Sequence, residues 1–181
     1  MRKIFLTLLI MIMPVTIIGC EGKNQNSMVT ISKIEDNLED TGVKYILDGL
    51  KKGEYDIHIY SEEYYNGKLN KKELMMESPV SINNKNKSIP IDINNKDKQL
   101  SVKVGGSLIE LPLDFFSNLE NGMALSILDE KREIQLNKEL KVAAYSIGNK
   151  DHSTHSINLD ENYQASRNEK DLIIYIKVNS I

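Results

Sequence analysis

Leu100-Ser101-Val102-Lys103-Val104 alternates apolar and polar side chains, and this period of two is the pattern that decides the fold. The same alternation recurs in four other segments, whose apolar members are Tyr55, Ile57 and Ile59; Ile89, Ile91 and Ile93; Ile109, Leu111 and Leu113; and Leu172, Ile174, Ile176 and Val178. Such a period predicts β-strands with one buried face. In the last segment the opposite face is apolar as well near its start, which indicates a central strand.

Turn signals separate these segments. Asn66-Gly67 is a strong hairpin signal, so we predict a long hairpin formed by Glu54–Tyr65 and Lys68–Ser78. The stretch Ile82-Asn83-Asn84-Lys85-Asn86-Lys87 recurs eleven residues later as Ile93-Asn94-Asn95-Lys96-Asp97-Lys98. Each copy predicts a turn, because Asn and Asp tolerate left-handed backbone. Residues 114–122 predict one short helical turn.

Two prolines fall inside predicted strands. Proline has no N–H to donate to a neighbouring strand, so within a sheet it is expected on edge strands or at bulges. We therefore expect the strands that contain Pro90 and Pro112 to be edges, or to carry bulges at these residues.

These patterns together predict an all-β fold, in which two packed antiparallel sheets form an immunoglobulin-like or related sandwich. The Cys…Trp…Cys core of a true immunoglobulin domain is missing, so this prediction rests on the strand pattern alone. Residues 28–181 have a length that suits a single β-rich domain.

The N-terminal segment has a different character. Arg2 and Lys3 precede an apolar run from Ile4 to Ile18, which ends at Gly19 and the only cysteine, Cys20. The run is short for a membrane-spanning helix. The segment resembles a bacterial lipoprotein signal peptide. That resemblance implies cleavage after residue 19 and a diacylglyceryl group on Cys20. The residues from Glu21 to Ser27 are polar and include Gly22, so we expect residues 20–27 to be the lipidated cysteine and a flexible tether. An uncleaved N-terminal helix and an ordinary secreted protein are the alternatives.

The resemblance also implies a location, which is the extracytoplasmic face of the cell membrane. The β-rich remainder is loosely similar to small lipoproteins of Gram-positive bacteria. Removal of residues 1–19, which carry two positive and no negative charges, takes the net charge from −3 to −5. A mildly acidic chain has no electrostatic footprint for nucleic acid and no polybasic patch for anionic lipid. Attachment to the membrane is therefore expected through Cys20.

Two groups of side chains are candidates for a site. Tyr60, Tyr64 and Tyr65 lie beside two glutamates near the predicted hairpin tip and are candidate ligand contacts, because tyrosine is favoured at interfaces. Cross-strand packing is the plainer interpretation of the same residues. His152 and His155 are weak candidates for a metal site, since two histidines alone do not complete a ligand set.

No catalytic motif is recognisable, and the sequence indicates no catalytic residue and no cofactor. We therefore expect a non-enzymatic binding module, held at the membrane, for an envelope protein or a small ligand. The alternatives are an accessory subunit of an envelope complex and a hydrolase that acts on a wall or extracellular polymer.

Overall fold

A computed structural model describes residues 28–34, 41–96, 99–112, 114–116, 122–149, 154–164 and 168–181. The predicted signal segment, Cys20 and the tether lie outside these residues. Within the part that is described, no helix has the length and hydrophobicity needed to cross a membrane. The strands are β1 (Thr30–Lys33), β2 (Thr41–Asp48), β3 (Gly53–Tyr65), β4 (Lys68–Ile82), β5 (Ile89–Lys96), β6 (Gln99–Val104), β7 (Ser107–Pro112), β8 (Met123–Ile127), β9 (Arg132–Glu133), β10 (Glu139–Ile147) and β11 (Lys170–Ser180).

The strands form two antiparallel sheets. One has six strands in the order β7-β6-β5-β2-β1-β9, and the other has five in the order β4-β3-β11-β10-β8. The apolar faces of the two sheets pack against each other around one core. The predicted all-β sandwich is confirmed. Its described strands outnumber the seven of a constant-type immunoglobulin domain.

The alternation of the sequence maps directly onto the core. Tyr55, Ile57 and Ile59 of β3 are buried between the sheets, as are Leu172 and Ile174 of β11. β11 lies in the middle of the five-stranded sheet, which confirms the prediction of a central strand. Its opposite face is covered as well, since Ile173 and Tyr175 are buried in a second, smaller cluster.

The long hairpin is confirmed. β3 and β4 pair from Gly53↔Ile82 to Tyr65↔Lys68, and the turn between them is Asn66-Gly67. Both turn residues have positive φ, 46° and 74°, as a type I′ turn requires. Two bulges interrupt the pairing, between Ile59 and Tyr60 and between Glu63 and Tyr64. The hairpin therefore forms one side of the five-stranded sheet, with β4 at the edge and β3 paired to β11.

The two prolines behave differently. Pro112 is the last residue of β7, an edge strand, as predicted. The expectation for Pro90 was wrong, because β5 lies inside the six-stranded sheet between β2 and β6 and is not bulged there. Pro90 is tolerated at the start of β5. Its carbonyl accepts a hydrogen bond from the amide of Gly105, just beyond β6. The Pro90 nitrogen points to the same side of the strand, where the pairing with β6 has not yet begun, so an N–H donor is not needed there.

The predicted short helical turn and the first Asn-rich turn are found among the described residues. Asp114–Phe116 form a short 3-10 helix. Asn83 Oδ1 accepts hydrogen bonds from the amides of Lys85 and Asn86, at 2.9 and 3.1 Å, which confirms the first Asn-rich turn. The second Asn-rich copy begins inside β5, and its residues 97–98 lie outside the described residues.

Candidate functional site

The outer face of the five-stranded sheet carries the side chains of greatest chemical interest. Along β3 the odd-numbered residues from Tyr55 to Ser61 are buried in the sandwich, so the even-numbered ones point outward. Tyr60 and Tyr64 therefore share the outer face with Glu62. Tyr65 lies on the opposite side of the strand, where the Lys170 ammonium sits 5.1 Å from its ring centre. The structure thus brings together two of the three tyrosines predicted from sequence.

Glu62 is the centre of this face. Its Oε2 accepts hydrogen bonds from the hydroxyls of Tyr64, at 2.8 Å, and Tyr175, at 2.6 Å. Its Oε1 lies 3.1 Å from the Lys72 ammonium, which also contacts Glu139 at 3.0 Å. The Glu62 side chain is only 13% exposed. One carboxylate from β3 thus joins groups on β4 and β11.

Protonation states in this network are fixed near neutral pH. Burial opposes ionisation of Glu62, but the hydrogen bonds from Tyr175, Tyr64 and Lys72 outweigh it and hold its pKa below the ordinary value. Burial and the hydrogen bond to Glu62 raise the pKa of both Tyr64 and Tyr175. The network therefore contains a carboxylate and two neutral phenols, and Glu62 has no proton to give at neutral pH.

An apolar border runs along the hairpin beside this network. The register places Leu74 opposite Tyr60 and Leu69 opposite Tyr64, so each pair lies on the outer face. Both leucines are largely exposed. The Lys72 ammonium lies 5.9 Å from the Tyr60 ring centre, between the two pairs. We call Tyr60, Tyr64, Leu69 and Leu74 the tyrosine–leucine stripe.

The other border of this face is covered by residues 154–164. The Ile157 amide donates to Ser126 Oγ on β8, at 2.9 Å. Tyr163 stacks on Tyr64 with ring centres 3.8 Å apart, and its hydroxyl donates to Asp171 at 2.9 Å. The covering segment therefore holds the Tyr64 ring in place and leaves the hairpin side of the sheet open.

A cleft of about 310 Å³ opens next to the covering segment, between residues 127–130 and 157–160. Its lining combines acidic and apolar residues, and its cation is already paired, because Arg132 contacts Asp160 at 2.8 Å. The cleft therefore lies beside the tyrosine network, and the positive charge of Arg132 within it is already paired with a carboxylate.

The histidine pair predicted from sequence is only partly described. His152 lies outside the described residues, and His155 is exposed, with its backbone bonded to the Asn168 side chain. A different group is assembled by the fold. Ligand atoms of Asp56, His58 and Glu77 all lie within 4.8 Å of one another.

Sequence reasoning missed two aromatic members of the face. Tyr175 could have been found, because it alternates with the buried residues of β11 and so must lie on the outer face. Tyr163 carries no such signal, since it lies in an irregular segment whose position depends on contacts with the sheet.

Comparison of the chain with protein-family models, with curated proteins and with solved structures gave no significant match. The geometry of the outer face and the N-terminal sequence are therefore the features of this chain that bear on its function.

We expect Glu62→Gln to lower the free energy of unfolding by about 1–3 kcal/mol at pH 7, because two tyrosine hydroxyls and one lysine ammonium would lose their charged hydrogen-bond acceptor. The pKa of Glu62 is lowered in the folded state. Its stabilisation is thus present above the unfolded pKa of about 4.3 and is lost as the pH falls through the folded pKa. Urea unfolding of wild type and variant at a series of pH values measures this difference.

Glu63→Gln is the matched control, since Glu63 points to the opposite face of β3. If the free energies of unfolding of wild type and Glu62→Gln differ by the same amount from neutral to acid pH, the charge of the carboxylate contributes nothing to stability.

Proposed function

We propose that this protein is a lipid-anchored binding module on the extracytoplasmic face of the cell membrane, and that it recognises a protein partner through the tyrosine–leucine stripe. The observation that carries the binding proposal is the open stripe itself. It sets exposed leucines beside half-buried tyrosines whose hydroxyls and neighbouring charges are already held in place. Rigid aromatic side chains of this kind supply contact area at low cost in conformational entropy.

The anchoring proposal is supported by the N-terminal sequence. Arg2, Lys3, the apolar run and Gly19-Cys20 follow the order of a lipoprotein signal, and Cys20 is the sole cysteine of the chain. Two acyl chains on one residue give stable membrane anchoring, whereas a single chain gives reversible binding. The acidic chain offers no basic surface as a substitute.

A protein is favoured over a small ligand by the shape of the surface. Small-molecule sites are concave and largely apolar. The stripe instead lies on the sheet face formed by β3 and β4, and β4 is an edge strand of the five-stranded sheet. Tyrosines are enriched at protein–protein interfaces, and exposed apolar patches rimmed by polar groups mark them. An accessory subunit of an envelope complex is one form of this proposal.

The hydrolase alternative finds no support in the Glu62 network. Hydrolysis of a glycosidic polymer generally uses a carboxylic acid whose pKa is raised, so that it can protonate the leaving group. The pKa of Glu62 is shifted downward by its hydrogen-bond donors. Its two oxygens are also occupied by Tyr64, Tyr175 and Lys72.

In-cell crosslinking tests the proposal. A photo-crosslinking residue in place of Leu74 is expected to capture a discrete protein, because this side chain is an exposed member of the stripe. The matched control places the same residue at Leu108 on β7 of the other sheet, a leucine that is 58% exposed against 46% for Leu74. Adducts are isolated by pull-down from the membrane fraction and identified by mass spectrometry.

The anchor is tested in the same cells by Cys20→Ala. This variant is expected to leave the membrane fraction and to lose the adduct formed from position 74. A protein that still partitions with membranes and matures to the same mass would refute the lipid anchor. Absence of any adduct from position 74 in the anchored protein, or identical adducts from positions 74 and 108, would refute the stripe as the protein-binding surface.

A further inference from the structure

Three potential metal ligands lie together at the end of the outer face farthest from the hairpin tip. Asp56 and His58 are two residues apart on β3, so both point outward. Glu77 of β4 is the direct partner of His58 in the register. Directly opposed residues of an antiparallel pair have neighbouring Cβ atoms, which lets three side chains converge from two strands.

The distances suit a shared ion. The ligand atoms of the three residues all lie within 4.8 Å of one another, and His58 Nε2 is 3.6 Å from Glu77 Oε1. Two donors bound to one tetrahedral zinc ion at about 2.0–2.1 Å are separated by roughly 3.4 Å. The 3.6 Å between His58 Nε2 and Glu77 Oε1 is too long for a hydrogen bond and close to the spacing of two ligands of one metal.

The imidazole of His58 is held in the orientation that a ligand needs. Its Nδ1 lies 3.0 Å from the Tyr60 hydroxyl, while its Nε2 is buried and has no hydrogen-bond partner. The side chain is 17% exposed. Metal-binding histidines commonly bond one ring nitrogen to a second group, which fixes the ring and directs the other nitrogen at the ion.

The donor set indicates the class of ion. One imidazole nitrogen with two carboxylate oxygens suits a divalent transition metal such as Zn²⁺, whereas Ca²⁺ and Mg²⁺ prefer oxygen ligands alone. Glu77 is 56% exposed, so the site faces solvent and leaves a coordination position for water or for a group from a partner. Lys177 of β11 is the cross-strand neighbour of His58 on its other side.

We propose that Asp56, His58 and Glu77 bind a divalent transition-metal ion, with Tyr60 orienting the imidazole. The proposal goes beyond the protein-binding function and does not depend on it. It differs from the metal site considered from sequence, because it uses one histidine from a strand and two carboxylates supplied by strand pairing.

Isothermal titration of the full chain, purified in mild detergent, with Zn²⁺ alone tests the site. One ion per chain is expected to bind, and Co²⁺ is expected to give a visible absorption band that Zn²⁺ abolishes. His58→Asn, Asp56→Asn and Glu77→Gln should each weaken binding by at least about tenfold, and Tyr60→Phe should weaken it by roughly tenfold through loss of ring orientation. Asp56 and Glu77 are partly or largely exposed, so their variants test the site even if His58→Asn fails to fold.

Two variants serve as controls for surface binding. Glu73→Gln removes a carboxylate of the same strand from the opposite face, and His155→Asn removes the exposed histidine of the covering segment. Both are expected to bind Zn²⁺ as the wild type does. The proposal is overturned if wild type binds no Zn²⁺, if Glu77→Gln and Asp56→Asn bind it unchanged, or if His155→Asn abolishes the binding.

Discussion

Replacing Gly49 by alanine is expected to lower the free energy of unfolding by about 2–5 kcal/mol, through backbone strain and overpacking together. Gly49 follows β2 and has a φ of +84°, a left-handed conformation that costs a residue with a Cβ atom. A Cβ at this position would lie 2.2 Å from the carbonyl oxygen of Met28. Backbone has to move to relieve that overlap, since no flexible side-chain end is involved.

Urea or thermal unfolding followed by circular dichroism measures the loss. Gly106→Ala is the matched control, because a Cβ there meets nothing within 4 Å and its φ lies outside the left-handed region. We expect Gly106→Ala to change the free energy of unfolding by less than about 0.5 kcal/mol. Equal losses for the two variants would contradict the close approach of residues 28 and 49.

Tyr45→Phe is expected to lower the free energy of unfolding by about 1–3 kcal/mol. Tyr45 of β2 is fully buried, and its hydroxyl donates to the carbonyl of Val142 on β10. The same oxygen accepts from the Leu128 amide at 3.0 Å. Burial raises the pKa of Tyr45, so the hydroxyl remains a donor. The Leu128 amide also donates to the Val142 carbonyl at 3.0 Å, so Tyr45 of the six-stranded sheet adds two hydrogen bonds to a backbone pair of the other layer, and phenylalanine removes both of them.

Tyr55→Phe provides the comparison. The Tyr55 hydroxyl donates at 3.2 Å to the carbonyl of Lys51, four residues away, so its loss breaks a long and local bond. We expect a smaller loss for Tyr55→Phe than for Tyr45→Phe in the same unfolding measurement. Comparable losses, or none for Tyr45→Phe, would show that the hydroxyl bridge between the sheets adds no stability.

Much of the strand layout was predictable because the side chains of a strand alternate between its two faces. The alternation in β3 and β11 located two faces of the core, and Asn66-Gly67 located the hairpin turn, since few residues other than Asn and Gly accept positive φ at both turn positions. The same alternation separates Tyr65 from Tyr64, as adjacent strand residues point to opposite sides.

Pro90 shows where local reasoning was insufficient. Proline predicts an edge because it lacks an N–H, but a strand inside a sheet tolerates it where the neighbouring strand has ended. That condition depends on the relative lengths of β5 and β6 and on the position of Gly105, which the sequence around Pro90 does not specify.

The sequence by itself determined that this chain forms strands, where its longest hairpin turns and which faces are apolar, because these properties depend on periodicity and on backbone preferences within a few residues. It also carries the N-terminal motif on which the anchoring proposal rests. Only the tertiary structure decided which strands are neighbours and in what register. Pairing of β3 with β4 set Glu77 opposite His58, and packing of the two sheets set Tyr45 against Val142. Contacts of this kind join residues that are distant in the chain, and a shift of one residue in register would send each of these side chains to the other face.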